Sequence, residues 1–243
     1  FARDRGGILI DSLYDLCRKE EAVQVGTETK QPWELLAVFL KGMLKFLGVM
    51  DVVKNTKCLV ITAQELDQVQ VSNFQRACQA LGFLEDKYLL LDYGESFFYY
   101  IMTQKRETWN RSVGWYAFSG DTVDFRKLTI NGASRPVQGG GPVLVQLEDL
   151  GECSLTGLLT EEAEASREKA ALHRDSDFLA FIQKTLGTDL YSSIQITGKG
   201  FDPKWAKQSV RLLCQQRRKV YFGNNLFARE PAEQVRKKQR TGI

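Results

Sequence analysis

Two short turns rich in glycine carry the residue types that could bind an anion. The first turn is Ser-Gly-Asp-Thr at residues 119–122, and the second turn is Thr-Gly-Lys-Gly at residues 197–200. Glycine permits a positive φ, and successive N–H groups in such a turn can form a concave site that binds phosphate oxygens. Each turn alone is more simply explained as a hairpin or a tight loop. The presence of both in one chain favours a phosphate-binding site.

Segments with strand and helix patterns alternate through most of the sequence and would position these turns. Buried-strand patterns occur at residues 57–63, 86–92, 113–118, 122–130, 142–150, 192–197 and 219–223. Amphipathic helix patterns separate most of them, which predicts parallel strands joined by helical crossovers, and an antiparallel hairpin around residue 120. Ser176 is predicted to cap a helix over residues 177–187, separate from a surface helix over residues 161–171.

Composition narrows the classes of protein to which the chain could belong. It has 243 residues, 43% of them hydrophobic, and a net charge of +3, so we expect neither a nucleic-acid nor a membrane partner. The five cysteines are widely spaced, which predicts free thiols and a cytoplasmic protein. The single histidine, His173, leaves little from which to build a zinc site or a histidine-based triad.

The two turns resemble motifs of the superfamily that contains actin, sugar kinases and DnaK-type chaperone ATPases. The sequence WYAFSGDTVD at residues 115–124 is similar to the family's second phosphate loop, V-Y-D-L-G-G-G-T-F-D. The two sequences agree at Tyr116, Gly120, Thr122 and Asp124. The sequence IQITGKG at residues 194–200 is similar to the family's adenosine loop.

The same resemblance extends over about residues 31–223, with segments 61–83 and 90–100 similar to stretches that precede the second phosphate loop. It implies an α/β, actin-like (ribonuclease H-like) two-lobe ATPase fold with mixed sheets flanked by helices, from a divergent bacterial branch. The first lobe would span residues 1–112, without its opening strands and first phosphate loop. The second lobe would span residues 113–243. Because the chain begins with Phe1 and not with a methionine, we expect earlier residues in the full protein.

The resemblance also implies a ligand, ATP or ADP with Mg²⁺, and the residues that bind it. The implied phosphate-binding residues are Ser119, Gly120, Asp121 and Thr122, and the implied adenosine-binding residues are Gly198, Lys199 and Gly200. Glu95 stands at the position of a family glutamate and would face the metal through a water, although it could equally cap the helix that begins there. Lys199 replaces a small residue, and its ammonium could contact a phosphate or project into solvent.

The chain departs from the family pattern where the chemistry is most demanding. Ala117 replaces the acidic residue of the second phosphate loop, and alanine cannot ligate or orient a metal-bound water. Asp121 could partly substitute, but its charge would repel a phosphate unless a cation intervenes. Losing one such contact commonly costs about 2.7–4 kcal/mol of barrier. The catalytic residues therefore stay unassigned, and the sequence leaves open whether the protein is a weak ATPase.

These features predict a chaperone-like nucleotide-binding switch whose hydrolysis is slow or lost. Closure of the lobes on the nucleotide would be read by a protein partner or would control self-assembly. The alternative is a pseudo-ATPase scaffold that keeps the fold, binds no nucleotide and acts through its surface. Ala117 and Lys199 favour this alternative.

Overall fold

The computed structural model describes residues 9–10, 12–48, 51–131, 144–157 and 164–223. Contacts within the chain divide it into two compact units, and the division falls between Ser96 and Phe97. The lobe boundary that the sequence predicts, between residues 112 and 113, lies farther along the chain and stays a prediction. Each unit is described by itself below.

The first unit contains two small sheets and several helices. In chain order these are α1 Leu13–Leu16, β1 Val23–Val25, β2 Glu28–Lys30, α2 Pro32–Lys45, α3 Val52–Asn55, β3 Leu59–Ala63, α4 Gln68–Ala80, β4 Tyr88–Asp92 and the start of α5 Tyr93–Thr103. Strands β1 and β2 form an antiparallel hairpin, whereas β3 and β4 are parallel and joined by α4. This strand–helix–strand unit is the crossover that the alternating pattern predicts.

Local signals in the sequence fix the starts of the two longer helices of this unit. Gln31 and Glu34 form a capping box in front of α2, with Pro32 at the first helical position. Asp67 accepts a 2.7 Å hydrogen bond from the N–H of Gln70 and caps α4. The caps satisfy N–H groups that would otherwise lack partners at the helix starts.

The second unit is built around a five-stranded mixed sheet. Its elements are β5 Ser112–Ser119, β6 Thr122–Asn131, β7 Leu144–Ser154, α6 Glu164–Leu186, β8 Tyr191–Lys199, α7 Lys207–Leu213 and β9 Lys219–Phe222. The strand order is β7-β6-β5-β8-β9. The pairs β5–β6 and β6–β7 are antiparallel, and the pairs β5–β8 and β8–β9 are parallel. The structure thus confirms the predicted hairpin beside parallel strands.

Helix α6 covers one face of this sheet and corrects one sequence prediction. It runs without interruption from Glu164 to Leu186, so Ser176 lies inside a helix and does not cap a separate one. Phe178 and Ile182 from this helix are fully buried against Tyr116 of β5 and Ile196 of β8. The prediction was wrong because the charged residues before Ser176 are typical of an exposed break between two helices, whereas Arg174 and Asp175 are both buried inside one helix.

Some kinds of site are not found in the described part of the chain. No helix there is both long enough and apolar enough to cross a membrane. The same residues contain no cluster of three or more histidine, cysteine or acidic side chains that could hold a metal ion.

All five cysteines are free, and burial raises the pKa of the Cys17 and Cys78 thiols to about 11. These two thiols are therefore poor nucleophiles in the folded protein.

Candidate phosphate-binding site

The two glycine turns lie side by side at one end of the mixed sheet. Strands β5 and β8 are parallel neighbours, and their register pairs Phe118 with Gly198 and Ser119 with Lys199. The strands therefore deliver their turns to the same level of the sheet. The N–H of Gly120 donates a 2.8 Å hydrogen bond to the carbonyl of Lys199, so the turns contact each other directly.

The first turn has the conformation for which its sequence is suited. Ser119 and Thr122 are paired across β5 and β6, which leaves Gly120 and Asp121 as a two-residue loop. Gly120 has a φ of 64°, in the left-handed region, and glycine at the first loop position is the preference of a type II′ hairpin turn. The hydroxyl of Thr122 donates to the carbonyl of Ser119 at 3.1 Å. This hydroxyl therefore already has a partner within the turn.

The second turn needs glycine because the first turn lies so close to it. Strand β8 continues through Lys199, so Gly198 is a strand residue and the bend itself opens at Gly200. A Cβ atom on Gly198 would lie 1.9 Å from the carbonyl oxygen of Phe118, and one on Gly200 would lie 2.1 Å from that of Gly120. The side chain of Lys199 is exposed. The close approach of the β5 backbone thus explains Gly198, and the close approach of the first turn explains Gly200.

A buried arginine that the sequence analysis did not identify holds the turns together. Arg174 of α6 is 1% exposed, and its Nη1 donates to Oδ1 of Asp121 at 2.6 Å and to the carbonyl of Thr156 at 2.9 Å. Its Nη2 donates to the carbonyls of Gly120, at 2.6 Å, and Gly200, at 3.3 Å. One guanidinium group therefore connects both turns and the segment that follows β7.

The arginine also changes the electrostatics that the sequence predicts. The exposed carboxylate of Asp121 is the counter-ion of Arg174, so the pair presents less negative charge than a lone aspartate would. Trp205 stacks on the guanidinium with 4.9 Å between the ring centroid and Cζ. The indole N–H of Trp205 donates to the carbonyl of Gly200 at 3.2 Å. Charge pairing and stacking together fix the plane of the arginine.

Ala117 lies in the middle of the sheet and faces the side opposite to α6. Its cross-strand partners are Asp124 of β6 and Thr197 of β8, and paired residues share a face of the sheet. The carboxylate beside Ala117 is thus that of Asp124, whose Oδ2 lies 3.1 Å from Nε of Arg126. Burial raises the pKa of Asp124 more than the nearby Arg126 lowers it.

The half-buried carboxylate of Asp124 makes stability depend on pH. Because the folded-state pKa of Asp124 lies above its ordinary value of 3.8, the folded protein binds the proton more tightly than the unfolded chain. We expect the free energy of unfolding to fall as the pH rises from 3.8 through the folded-state pKa, and Asp124→Asn to weaken this dependence. Urea unfolding at pH values from about 3.5 to 7 measures it.

The matched control for this prediction is Glu152→Gln. Glu152 is the exposed partner of Asp124 on β7, so its substitution removes a carboxylate from the same row and leaves the half-buried one in place. Asp124→Asn should flatten the pH profile clearly more than Glu152→Gln does. Equal profiles for wild type and Asp124→Asn contradict the prediction.

Glu95 lies in the first unit, at the start of α5. Its N–H donates to Oδ1 of Asp92 at 2.7 Å, and its Oε2 accepts a 3.2 Å hydrogen bond from the N–H of Asp92. The helix-capping role that the sequence leaves open is therefore confirmed. The role of Glu95 beside a metal-bound water stays a prediction.

Comparisons with known proteins place the chain in a family and a fold class. Over residues 1–240 it matches the family described as "Family of unknown function (DUF5716) C-terminal". No curated protein matches it.

Two solved structures are similar. MreB 5 of Spiroplasma citri bound to AMPPNP is 10% identical, with a TM-score of 0.51 over 97% of this chain and 87% of that one. A Bacteroides thetaiotaomicron protein with an actin-like ATPase fold and unknown function is 11% identical, with a TM-score of 0.39 over 86% of each chain. The chain therefore belongs to the DUF5716 family, matching its C-terminal region, and has an actin-like ATPase fold.

Proposed function

We propose that the protein binds ATP or ADP with Mg²⁺ and acts as a conformational switch whose hydrolysis is slow or lost. The observation that carries this proposal is the contact between the two turns, where the N–H of Gly120 lies 2.8 Å from the carbonyl of Lys199. Two bends of backbone at one end of a sheet offer several N–H groups to a single anion. The similar MreB 5 structure contains AMPPNP, which supports a nucleotide as the ligand.

The proposal gives each turn a part of the nucleotide. The phosphate chain would contact Ser119, Gly120, Asp121 and Thr122, and the adenosine would pass Gly198, Lys199 and Gly200. Because the described residues contain no cluster of metal-ligating side chains, Mg²⁺ would arrive with the phosphates. Glu95 would orient a water of that ion, in addition to capping α5. Residues 1–112 and 113–243 would be the two lobes that respond to the nucleotide.

Slow or absent hydrolysis follows from the side chain at position 117. Phosphoryl transfer depends mainly on positioning and on neutralising charge, and Ala117 supplies neither a ligand nor a hydrogen bond. The nearest carboxylate across the strands, that of Asp124, pairs with Arg126. The output of the protein would therefore be a change of conformation upon binding, read by a protein partner or by self-assembly.

A pseudo-ATPase scaffold is the second candidate, and the bonding within the turns favours it. The N–H of Gly120 and the hydroxyl of Thr122 both donate to carbonyls of the turns themselves. Such internal bonds would keep the turns in shape without a ligand. In this case the protein would bind no nucleotide and would act through its surface.

Calorimetry separates the two candidates. We expect Mg-ATP and Mg-ADP to bind with dissociation constants of about 1–100 μM, which corresponds to roughly 5–8 kcal/mol. Gly120→Asp should abolish this binding, because it places a carboxylate in the first turn. Gly187→Asp is the matched control: both glycines have positive φ and open space around a new Cβ, and Gly187 precedes the start of β8, whereas the second turn lies at its end. No heat at millimolar nucleotide supports the scaffold.

A further inference from the structure

The hydrogen bonds of Arg174 determine which way two peptide groups point. Its Nη2 donates to the carbonyl of Gly120 and to the carbonyl of Gly200, one in each turn. A trans peptide group is planar, and its N–H points opposite to its carbonyl. The N–H groups that share these two peptides belong to Asp121 and Phe201. Both N–H groups therefore point away from the guanidinium.

Two other polar groups of the turns already have hydrogen-bond partners inside the protein. The N–H of Gly120 donates to Lys199, and the hydroxyl of Thr122 donates to Ser119. A phosphate that approached these groups would have to break existing hydrogen bonds, which costs free energy. The N–H groups of Asp121 and Phe201, by contrast, point away from the buried guanidinium that binds the carbonyls of Gly120 and Gly200.

We propose that Arg174 is a positioning residue that aims the N–H groups of Asp121 and Phe201, and that these two N–H groups bind the phosphate chain of the nucleotide. This inference rests on the proposed function and assigns its donors. It also changes the role of Asp121. The backbone N–H of this residue binds the anion, whereas its carboxylate serves Arg174.

The side chain of Arg174 has features that only arginine supplies. Its planar fork reaches four acceptors at once, and its face stacks on Trp205. Its Nε is buried and has no hydrogen-bond partner among the described residues. An unpartnered N–H is costly, so the position of the guanidinium is dictated by the contacts of Nη1 and Nη2. A lysine has a single nitrogen and cannot hold both turns in this way.

Arg218 offers a matched control in the same unit. Its Nε donates to the carbonyl of Leu213 and its Nη2 to that of Leu212, so it also binds backbone carbonyls. These carbonyls belong to the end of α7 and not to the glycine turns. Arg218→Lys should cost stability as Arg174→Lys does, without affecting phosphate recognition.

The first experiment compares nucleotide affinities by calorimetry. Arg174→Lys should weaken Mg-ATP binding by about tenfold or more, the equivalent of one lost hydrogen bond. Because Arg174 also binds the carbonyl of Gly200, in the turn assigned to adenosine, the affinity of this variant for adenosine should fall less than its affinity for Mg-ATP, and Arg218→Lys should keep both affinities. Equal losses for Mg-ATP and adenosine in Arg174→Lys, or an unchanged Mg-ATP affinity, overturn the proposal.

The second experiment does not depend on nucleotide binding or on a variant that folds. Wild-type protein labelled with ¹⁵N is titrated with inorganic tripolyphosphate, and the amide signals of Asp121 and Phe201 should shift most. If Mg-ATP does not bind while tripolyphosphate shifts these two signals, the proposed function fails and the assignment of the donors holds. If tripolyphosphate shifts the Gly120 signal instead, or shifts none of the three, the assignment fails.

Discussion

Replacing Gly198 with alanine is expected to lower the free energy of unfolding by about 3 kcal/mol or more. Gly198 has a φ of 93°, which side chains rarely adopt, and its new Cβ would lie 1.9 Å from the carbonyl oxygen of Phe118. That oxygen belongs to the backbone of β5, so relief requires the two parallel strands to separate. The expected loss is a large share of the roughly 5–15 kcal/mol that stabilises a typical domain.

The matched control is alanine at the other turn. Gly120 also has a positive φ, of 64°, but no atom lies within 4 Å of a Cβ built on it. Gly120→Ala should therefore cost only the strain of the left-handed conformation, about 1–2 kcal/mol. Urea unfolding followed by tryptophan fluorescence compares the two variants. Equal losses would show that contact with the carbonyl of Phe118 is not what requires Gly198.

Removing the carboxylate of Asp175 is expected to cost about 3–5 kcal/mol. Asp175 is 1% exposed, and its carboxylate accepts hydrogen bonds from the N–H groups of Gln208 and Ser209 and from the hydroxyl of Ser209. These N–H groups begin α7, and Ala206 before them provides no side-chain cap. Asp175→Ala leaves the buried N–H of Ser209 and the partly buried N–H of Gln208 without their acceptor, although the hydroxyl of Ser209 keeps the main-chain carbonyl of residue 175. Losing an acceptor in such a site costs more than losing an exposed bond.

Asp202→Ala serves as the control for Asp175→Ala. Asp202 is exposed and accepts from the N–H of Lys204 at 2.9 Å, a few residues before the same helix. Its loss should cost no more than about 1 kcal/mol, because water can replace the bond. Denaturant midpoints with unchanged m-values give both quantities. A loss for Asp175→Ala as small as that for Asp202→Ala contradicts the role of Asp175 as the cap of α7.

Patterns local in sequence predict much of this fold. The period of two in β5 and β6, with glycine in the loop between them, predicts the hairpin around Gly120, and the cap residues Asp67 and Pro32 mark the helix starts. The aromatic run of α5, residues 97–100, suits a strand as well as a helix, so the sequence pattern alone does not assign the type of this element. The actin-like fold is implied by the resemblance of residues 115–124 and 194–200 to loops of that superfamily, and the similarity to MreB 5 confirms it.

Contacts between residues distant in sequence could not be predicted in the same way. Arg174 and Asp175 stand in the run HRDSD, where adjacent charges are typical of exposed chain. Their partners lie 53 residues away, at Asp121, and 34 residues away, at Ser209. Only the folded backbone brings these groups together, so a pattern confined to one segment does not identify their partners. The one signal in the sequence is that Arg174 and Asp175 precede Phe178 by four and three residues, a spacing that places them near Phe178 on a continuous helix.

The adjacency of Arg174 and Asp175 has a mechanical consequence. Consecutive side chains project from a helix about 100° apart. Arg174 therefore hydrogen-bonds to the glycine turns while Asp175 hydrogen-bonds to the start of α7. Translation or rotation of α6 would displace both sets of hydrogen bonds at once. We therefore expect the ends of β5 and β8 and the start of α7 to move together with the 23 residues of this helix.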